Sequence, residues 1–131
     1  MNGYIVNLEA KTVSNDNFRE VLYTGKFSQL VLMSLKPGEE IGLEVHGLDQ
    51  FIRIEKGIGV AILDGVEHQL SDGSAVVVPA GANHNIINTS ATDDLKLYTI
   101  YSPAEHQDGV KFKTKAEAAS AHEHFNGQTT E

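Results

Sequence analysis

Glycine or proline stands at nearly every corner in the middle of this chain, and the apolar runs between those corners are short. QLVLMSL (29–35) stops at Pro37-Gly38, FIRIE (51–55) breaks at Gly57-Ile58-Gly59 before VAIL (60–63), and AVVV (75–78) runs into Pro79-Ala80-Gly81. Apolar runs this short, closed by turn formers, read as strands. In FIRIE, Ile52 and Ile54 fall on one face and Arg53 and Glu55 on the other, the alternation of a strand with one side against a core. Asp64-Gly65 lies between Leu63 and Val66, a two-residue hairpin signal, because a type I′ turn needs positive φ at both positions. Leu70-Ser71-Asp72-Gly73 supplies a further turn, and HNIIN (84–88) and LKLYTIY (95–101) complete the series. Many short strands with turn residues at each corner make this an all-β sandwich or barrel.

Only the C-terminal end reads as helix, over about 114–125. Thr114-Lys115-Ala116-Glu117 fits a capping box, an alanine-rich run follows, and Gly127 is placed to stop it. The chain reads as one domain of 131 residues with its core over about 27–102, and no linker or internal repeat interrupts it.

Composition narrows the function. Eighteen acids against 10 bases give a formal net charge of −8, which lacks the basic surface that nucleic acid or an anionic membrane requires. No apolar run is long enough to span a bilayer, and MNGYIVNLEAK lacks the basic and apolar regions of a secretory signal, so the expected location is cytoplasmic. There is no cysteine, which removes disulfides and thiolates and leaves the six histidines and the carboxylates as ligands for any metal.

One stretch concentrates such groups: EVHGLDQF, residues 44–51. If Glu44-Val45-His46 is extended, Glu44 and His46 share a face, and Gln50 rejoins it after Gly47-Leu48-Asp49. A coordination shell needs a partner from elsewhere, and His84, which follows PAGAN and shares a face with Ile86, is the candidate. Taken alone, E-x-H is common by chance.

The longer spacing is more specific. Gly38, five residues, Glu44-Val45-His46, three residues, Gln50, six residues and Gly57 form one pattern. Gly73, five residues, Pro79-Ala80-Gly81, two residues, His84, three residues and Asn88 form a second. Together they resemble the two signature motifs of the cupin superfamily. The second motif matches at every signature position. The first has Glu44 where the family usually has His and Gln50 where it usually has Glu.

The resemblance implies a double-stranded β-helix (jelly-roll) barrel. It also implies a metal in the barrel mouth, with Glu44, His46, Gln50 and His84 as ligands by position. The exchange keeps one carboxylate in the set and replaces one imidazole by an amide oxygen. Two imidazoles, a carboxylate and an amide suit a divalent transition metal: Mn, Fe or Zn, with Ni or Co also compatible. The same residues also fit a purely structural metal or an empty polar pocket.

Other candidates rank lower on the sequence. His122-Glu123-His124 reads H-x-H, but residues two apart diverge on a helix, so a solvated, fraying end is expected. His68 reads as a surface strand residue, and His106 as an exposed loop residue with the barrel mouth in reach. Tyr98 and Tyr101 point to opposite faces, so at most one faces a pocket. Arg53 has the outward parity, Asp49 could touch a polar substrate, and Asn88 suits a turn or strand-end cap.

By this reading the chain is a metal-dependent enzyme for a small polar oxygenated substrate, such as a sugar, sugar acid or keto acid, with isomerase- or lyase-type chemistry. The metal would polarise a carbonyl and stabilise an enediolate. A metal-dependent dioxygenase and a non-catalytic small-molecule binding or sensing domain are the alternatives. The apolar FSQLVLMSL segment leaves strand edges to cover, and a homodimer by edge pairing is expected.

Overall fold

The structure is a computed structural model and describes residues 1–131. A short helix, α1 (Leu8–Ser14), precedes nine strands: β1 (Arg19–Thr24), β2 (Gln29–Leu35), β3 (Asp49–Lys56), β4 (Gly59–Leu63), β5 (Val66–Leu70), β6 (Ala75–Val78), β7 (His84–Asn88), β8 (Leu95–Ser102) and β9 (Lys111–Phe112). Helix α2 (Lys115–Ala121) follows. The strands form a six-stranded sheet, β6-β3-β8-β2-β1-β9, and a three-stranded sheet, β5-β4-β7, with antiparallel pairing throughout.

The alternation seen in the sequence sets which face is inside. On β3, Gln50, Ile52 and Ile54 are buried and point inward. On β2 and β8 the inward residues are Val31, Met33 and Leu35, and Leu95, Leu97, Thr99 and Tyr101. Register then sorts these faces into rows. Met33, Leu97 and Ile54 form one apolar row, while Gln29, Tyr101 and Gln50 form another that is polar. The inner wall therefore changes from hydrocarbon to hydrogen-bonding groups along the strands. Each buried Leu, Ile or Met contributes about 1.5–3 kcal/mol of burial, which fixes the register, since a one-residue slip would expose every one of them.

The smaller sheet closes over this face with Ala61 and Ile86 paired inward. Gly59 allows that closure, because a Cβ there would lie 2.5 Å from the Ile87 carbonyl oxygen. Asp64 and Gly65, at φ 46° and 82°, make the positive-φ hairpin turn between β4 and β5.

Four elements differ from the sequence reading. Helix α1, capped by Asn7 on the Ala10 N–H at 3.1 Å, was not expected, nor were β1 and β9. The C-terminal helix starts as expected, with Thr114 Oγ1 accepting from the Glu117 N–H at 3.2 Å, but ends at Ala121. His122 adopts the left-handed conformation (φ 48°) that the sequence assigned to Gly127, and the chain beyond it turns back onto the barrel.

Candidate metal centre

Glu44 and His84 face each other across an antiparallel bridge, each backbone donating to the other at 2.9 Å. Only Glu44 of the EVH segment pairs in this way, so the segment is a loop pinned to β7 and not a strand. His46 is held beyond it by its carbonyl, which accepts from the Gly81 N–H at 2.8 Å. Glu44 Oε2 then lies 3.0 Å from His46 Nε2 and 4.0 Å from His84 Nε2. One ligand atom from each of Glu44, His46 and His84 falls within 4.8 Å of the others.

Gln50 belongs to β3 itself, on the inner face with Ile52 and Ile54. Its amide has a defined polarity. Thr99 Oγ1 spends its proton on the Phe51 carbonyl at 2.9 Å, so it can only accept from Gln50, whose Nε2 donates at 3.0 Å. Gln50 Oε1 is left buried without a partner. His84 is fixed in the same manner: Nδ1–H donates to the Ala82 carbonyl at 3.0 Å, so in the neutral ring Nε2 carries the lone pair, buried and unpartnered. His46 Nδ1 is a third buried atom without a hydrogen bond. Buried polar atoms are ordinarily satisfied, and two of these bear on the cluster: His84 Nε2 lies 4.0 Å from Glu44 Oε2, and the Gln50 amide is close enough to His46 to act on its pKa.

The charges at the site are coupled. The Glu44 hydrogen bond raises the His46 pKa, burial opposes it, and the charges of Glu44 and Glu105 and the nearby Gln50 amide add to the rise. Burial raises the Glu44 carboxyl, but the His46 hydrogen bond, with the charges of His46, Arg19 and His84, outweighs it and holds the pKa low. Each group therefore favours the charged form of the other, which lowers the Glu44 pKa and raises that of His46.

A cavity of about 270 Å³ opens on this cluster and has Arg19, Glu44, His46, His106, Lys115 and Glu123 among its lining residues. Two sequence expectations are corrected here. His106 is buried, its Nδ1 at 2.7 Å from Glu123 Oε1 and its Nε2 at 3.3 Å from the Tyr101 hydroxyl. Glu123 is not a fraying residue: its side chain is 8% exposed and also accepts from the Gln107 N–H at 2.7 Å. The segment after α2 folds across the cavity, tied by Phe125 N–H to the Glu105 carbonyl at 2.9 Å. Burial raises Glu123's pKa, and the bonds from His106 and Gln107, with the charges of His106 and Arg19, overcome it to hold the group ionised.

Of the two tyrosines, Tyr101 is the inward one, with its ring 5.9 Å from His46 and 5.1 Å from His106, and burial pushes its hydroxyl pKa up. His68 is exposed and Arg53 points outward beside Glu55 at 3.2 Å. Asp49, the first residue of β3, accepts from the Ala80 N–H at 3.0 Å. Asn88 donates to the Leu35 and Asp93 carbonyls at 3.0 and 2.9 Å and accepts from Ser90, a structural role. Arg19, Thr99 and Glu123 were not recognised from the sequence as site residues. Inward parity on β1 and β8 could have marked the first two, but nothing local marks Glu123. No helix is long and apolar enough to cross a membrane.

Comparison with known proteins agrees with this fold. The Bacillus subtilis protein YrkC is 47% identical over 125 residues, covering 90% of this chain and 67% of its own length, so the present chain spans about two thirds of that relative. The crystal structure of BH2720 from Bacillus halodurans superposes with a TM-score of 0.88 at 40% identity, over 91% of this chain and 95% of that one. A structure described as a predicted oxalate decarboxylase from Thermotoga maritima is 28% identical with a TM-score of 0.55, over 57% of this chain and 65% of that one. The family model for the cupin domain matches residues 31–101, the segment that runs from β2 to β8 and contains Glu44, His46, Gln50 and His84, and the chain belongs to the cupin family.

Proposed function

We propose that the cluster binds a divalent transition metal through Glu44, His46, Gln50 and His84, and that the protein is a metal-dependent enzyme for a small polar oxygenated substrate. The observation that carries the metal reading is the Glu44, His46 and His84 cluster, whose ligand atoms lie within 4.8 Å of one another, with His84 Nε2 and Gln50 Oε1 buried and unpartnered. A closed structural network would satisfy these atoms, whereas a cation explains a lone pair and an amide oxygen turned inward together. Nitrogen and oxygen donors without thiolate fit Mn, Fe or Zn, and also Ni or Co. Such an ion would polarise a carbonyl or carboxylate oxygen of the substrate.

Isomerase- or lyase-type chemistry also needs a proton carrier, and His106 meets that need. Glu123 accepts its Nδ1–H, which leaves Nε2 as the basic nitrogen beside the Tyr101 hydroxyl. His106 and Glu123 line the same cavity as Glu44 and His46. The exposed Val77 and the Phe51–Tyr98 pair, 6.3 Å apart, support a homodimer through the outer face of the larger sheet, which light scattering would test.

The deciding experiment is elemental analysis of protein purified without an affinity tag, beside His84→Ala. Near-stoichiometric metal in the parent and its loss in the variant is the expected result; equal metal in both sinks the assignment. Turnover on sugar-acid and keto-acid panels then tests the chemistry. Substrate-dependent oxygen uptake would move the reading to a dioxygenase, and binding without turnover to a sensing domain.

A further inference from the structure

Arg19 is left without a task by the reading above. It lies on β1 opposite Met33, hence on the inner face, and is only 9% exposed. Its Nε is buried and makes no hydrogen bond. Its ion pair with Glu123 is long, 4.0 Å from Nη1 to Oε1, and both Glu123 oxygens are already engaged by His106 and Gln107 at 2.7 Å. The guanidinium is positioned over the Phe18 ring, 5.4 Å from its centroid, and it lines the cavity shared by Glu44 and His46. Its charge helps hold both Glu44 and Glu123 ionised. A guanidinium carries five donors in a planar fork, and burying it unpaired is costly. Arg53 Nε also lacks a hydrogen bond, but that side chain is 42% exposed on the outer face and sits 3.2 Å from Glu55, away from the cavity.

We propose that Arg19 anchors the substrate, and that the cavity takes a small molecule bearing a carboxylate, whose two oxygens accept from the guanidinium fork. The rest of the molecule then extends toward Glu44 and His46. A carboxylate fits better than a phosphate because one cation is free. Lys115, also at the cavity, gives its Nζ to the Glu40 carbonyl at 2.6 Å, and Glu44, Glu105 and Glu123 would repel a dianion. Neutral sugars leave the fork unused. This inference rests on the reading of the cavity as the substrate's, but it does not need the metal.

The test is calorimetric titration of metal-free and Mn-loaded protein with glycolate, ethylene glycol and inorganic phosphate. Glycolate should bind the parent at least about tenfold more tightly than ethylene glycol, and Arg19→Gln should lose about tenfold or more of that affinity. Arg19→Lys, which keeps the charge without the fork, should fall between, and it replaces the Gln variant if the latter melts at the working temperature. Metal content should not change in either variant. Glycolate binding by Arg19→Gln or its replacement within twofold of the parent overturns the proposal, as does phosphate binding more tightly than glycolate. If the parent takes up no metal yet discriminates glycolate through Arg19, the metal reading fails and this one stands. If metal binds but glycolate ignores Arg19, this one alone falls.

Discussion

Replacing Thr99 by Val tests how the cluster is built, because valine keeps the shape and removes only the hydroxyl. That hydroxyl makes two hydrogen bonds, from Gln50 Nε2 at 3.0 Å and to the Phe51 carbonyl at 2.9 Å. Gln50 is 4% exposed, so no water replaces the lost acceptor and its amide N–H is left buried. An orphaned buried group costs about 1–3 kcal/mol and the second lost bond about 1, for roughly 2–4 kcal/mol in all. Unfolding entropy near 2.1 cal/mol/K per residue over 131 residues converts each kcal/mol into about 4 °C, so the melting temperature should fall by about 7–15 °C. The chain has no tryptophan, so calorimetry or circular dichroism follows the melt. Without the bond that points Oε1 inward, metal affinity should also fall by about 10-fold or more, as when support for a ligand is removed. Thr99→Ser restores the hydroxyl and should recover both properties. A Thr99→Val protein that melts within about 2 °C of the parent and holds metal equally well would refute the account of the amide's orientation.

Acidity should act oppositely on the metal-free and metal-bound forms. The raised His46 pKa gives the metal-free fold a contribution that is complete below the group's ordinary 6.5 and is lost as pH rises through the folded value. The lowered Glu44 pKa gives one present above its ordinary 4.5 and lost as pH falls through the folded value. Metal-free protein should therefore melt highest between those values and lower at pH 8, while metal affinity should rise over that interval because His46 must be neutral to bind; scanning calorimetry with and without chelator reads both. Gly59→Ala should drive a Cβ to 2.5 Å from the Ile87 carbonyl and lower the melting temperature by about 4–10 °C, which the same scans measure. Glu123→Ala should free His106 and Gln107 and speed hydrogen exchange at the Phe125 amide about tenfold or more, with strand β8 unchanged.

The barrel was readable because its signals are local. Asp64-Gly65 needs no tertiary context to make a turn, and the Ile52 and Ile54 alternation declares its inner face within five residues. The spacing from Gly38 to Gly57 and from Gly73 to Asn88 likewise singles out Glu44, His46, Gln50 and His84, of which Glu44, His46 and His84 offer ligand atoms within 4.8 Å of one another. The opposite wall of the cavity left no such trace. Arg19 begins a strand whose partner lies 14 residues away at Met33, and Glu123 meets His106 across 17 residues after a left-handed turn at a non-glycine residue. A helix seven residues long with no buried side chain gives no periodicity to show which way the chain beyond it will turn. Contacts made by tertiary packing, and not by local pattern, were therefore the ones missed.

The unusual first motif has a physical reason in this packing. A glutamate at position 50 would set a carboxylate oxygen against Thr99 Oγ1, whose proton is committed to the Phe51 carbonyl, so two acceptors would meet in a place almost without solvent. An amide resolves the conflict by presenting N–H to Thr99 and oxygen to the cluster. Position 44 is different. Its side chain is 35% exposed and faces His46 at 3.0 Å, with Arg19 and His84 also acting on its charge, so a carboxylate is stable there. The negative charge therefore sits at the solvated end of the cluster and the neutral donor at the buried end. Exchanging the two residues without changing Thr99 would reverse that order and bury the charge against an oxygen, which is why Glu44, Gln50 and Thr99 are best understood as a single unit.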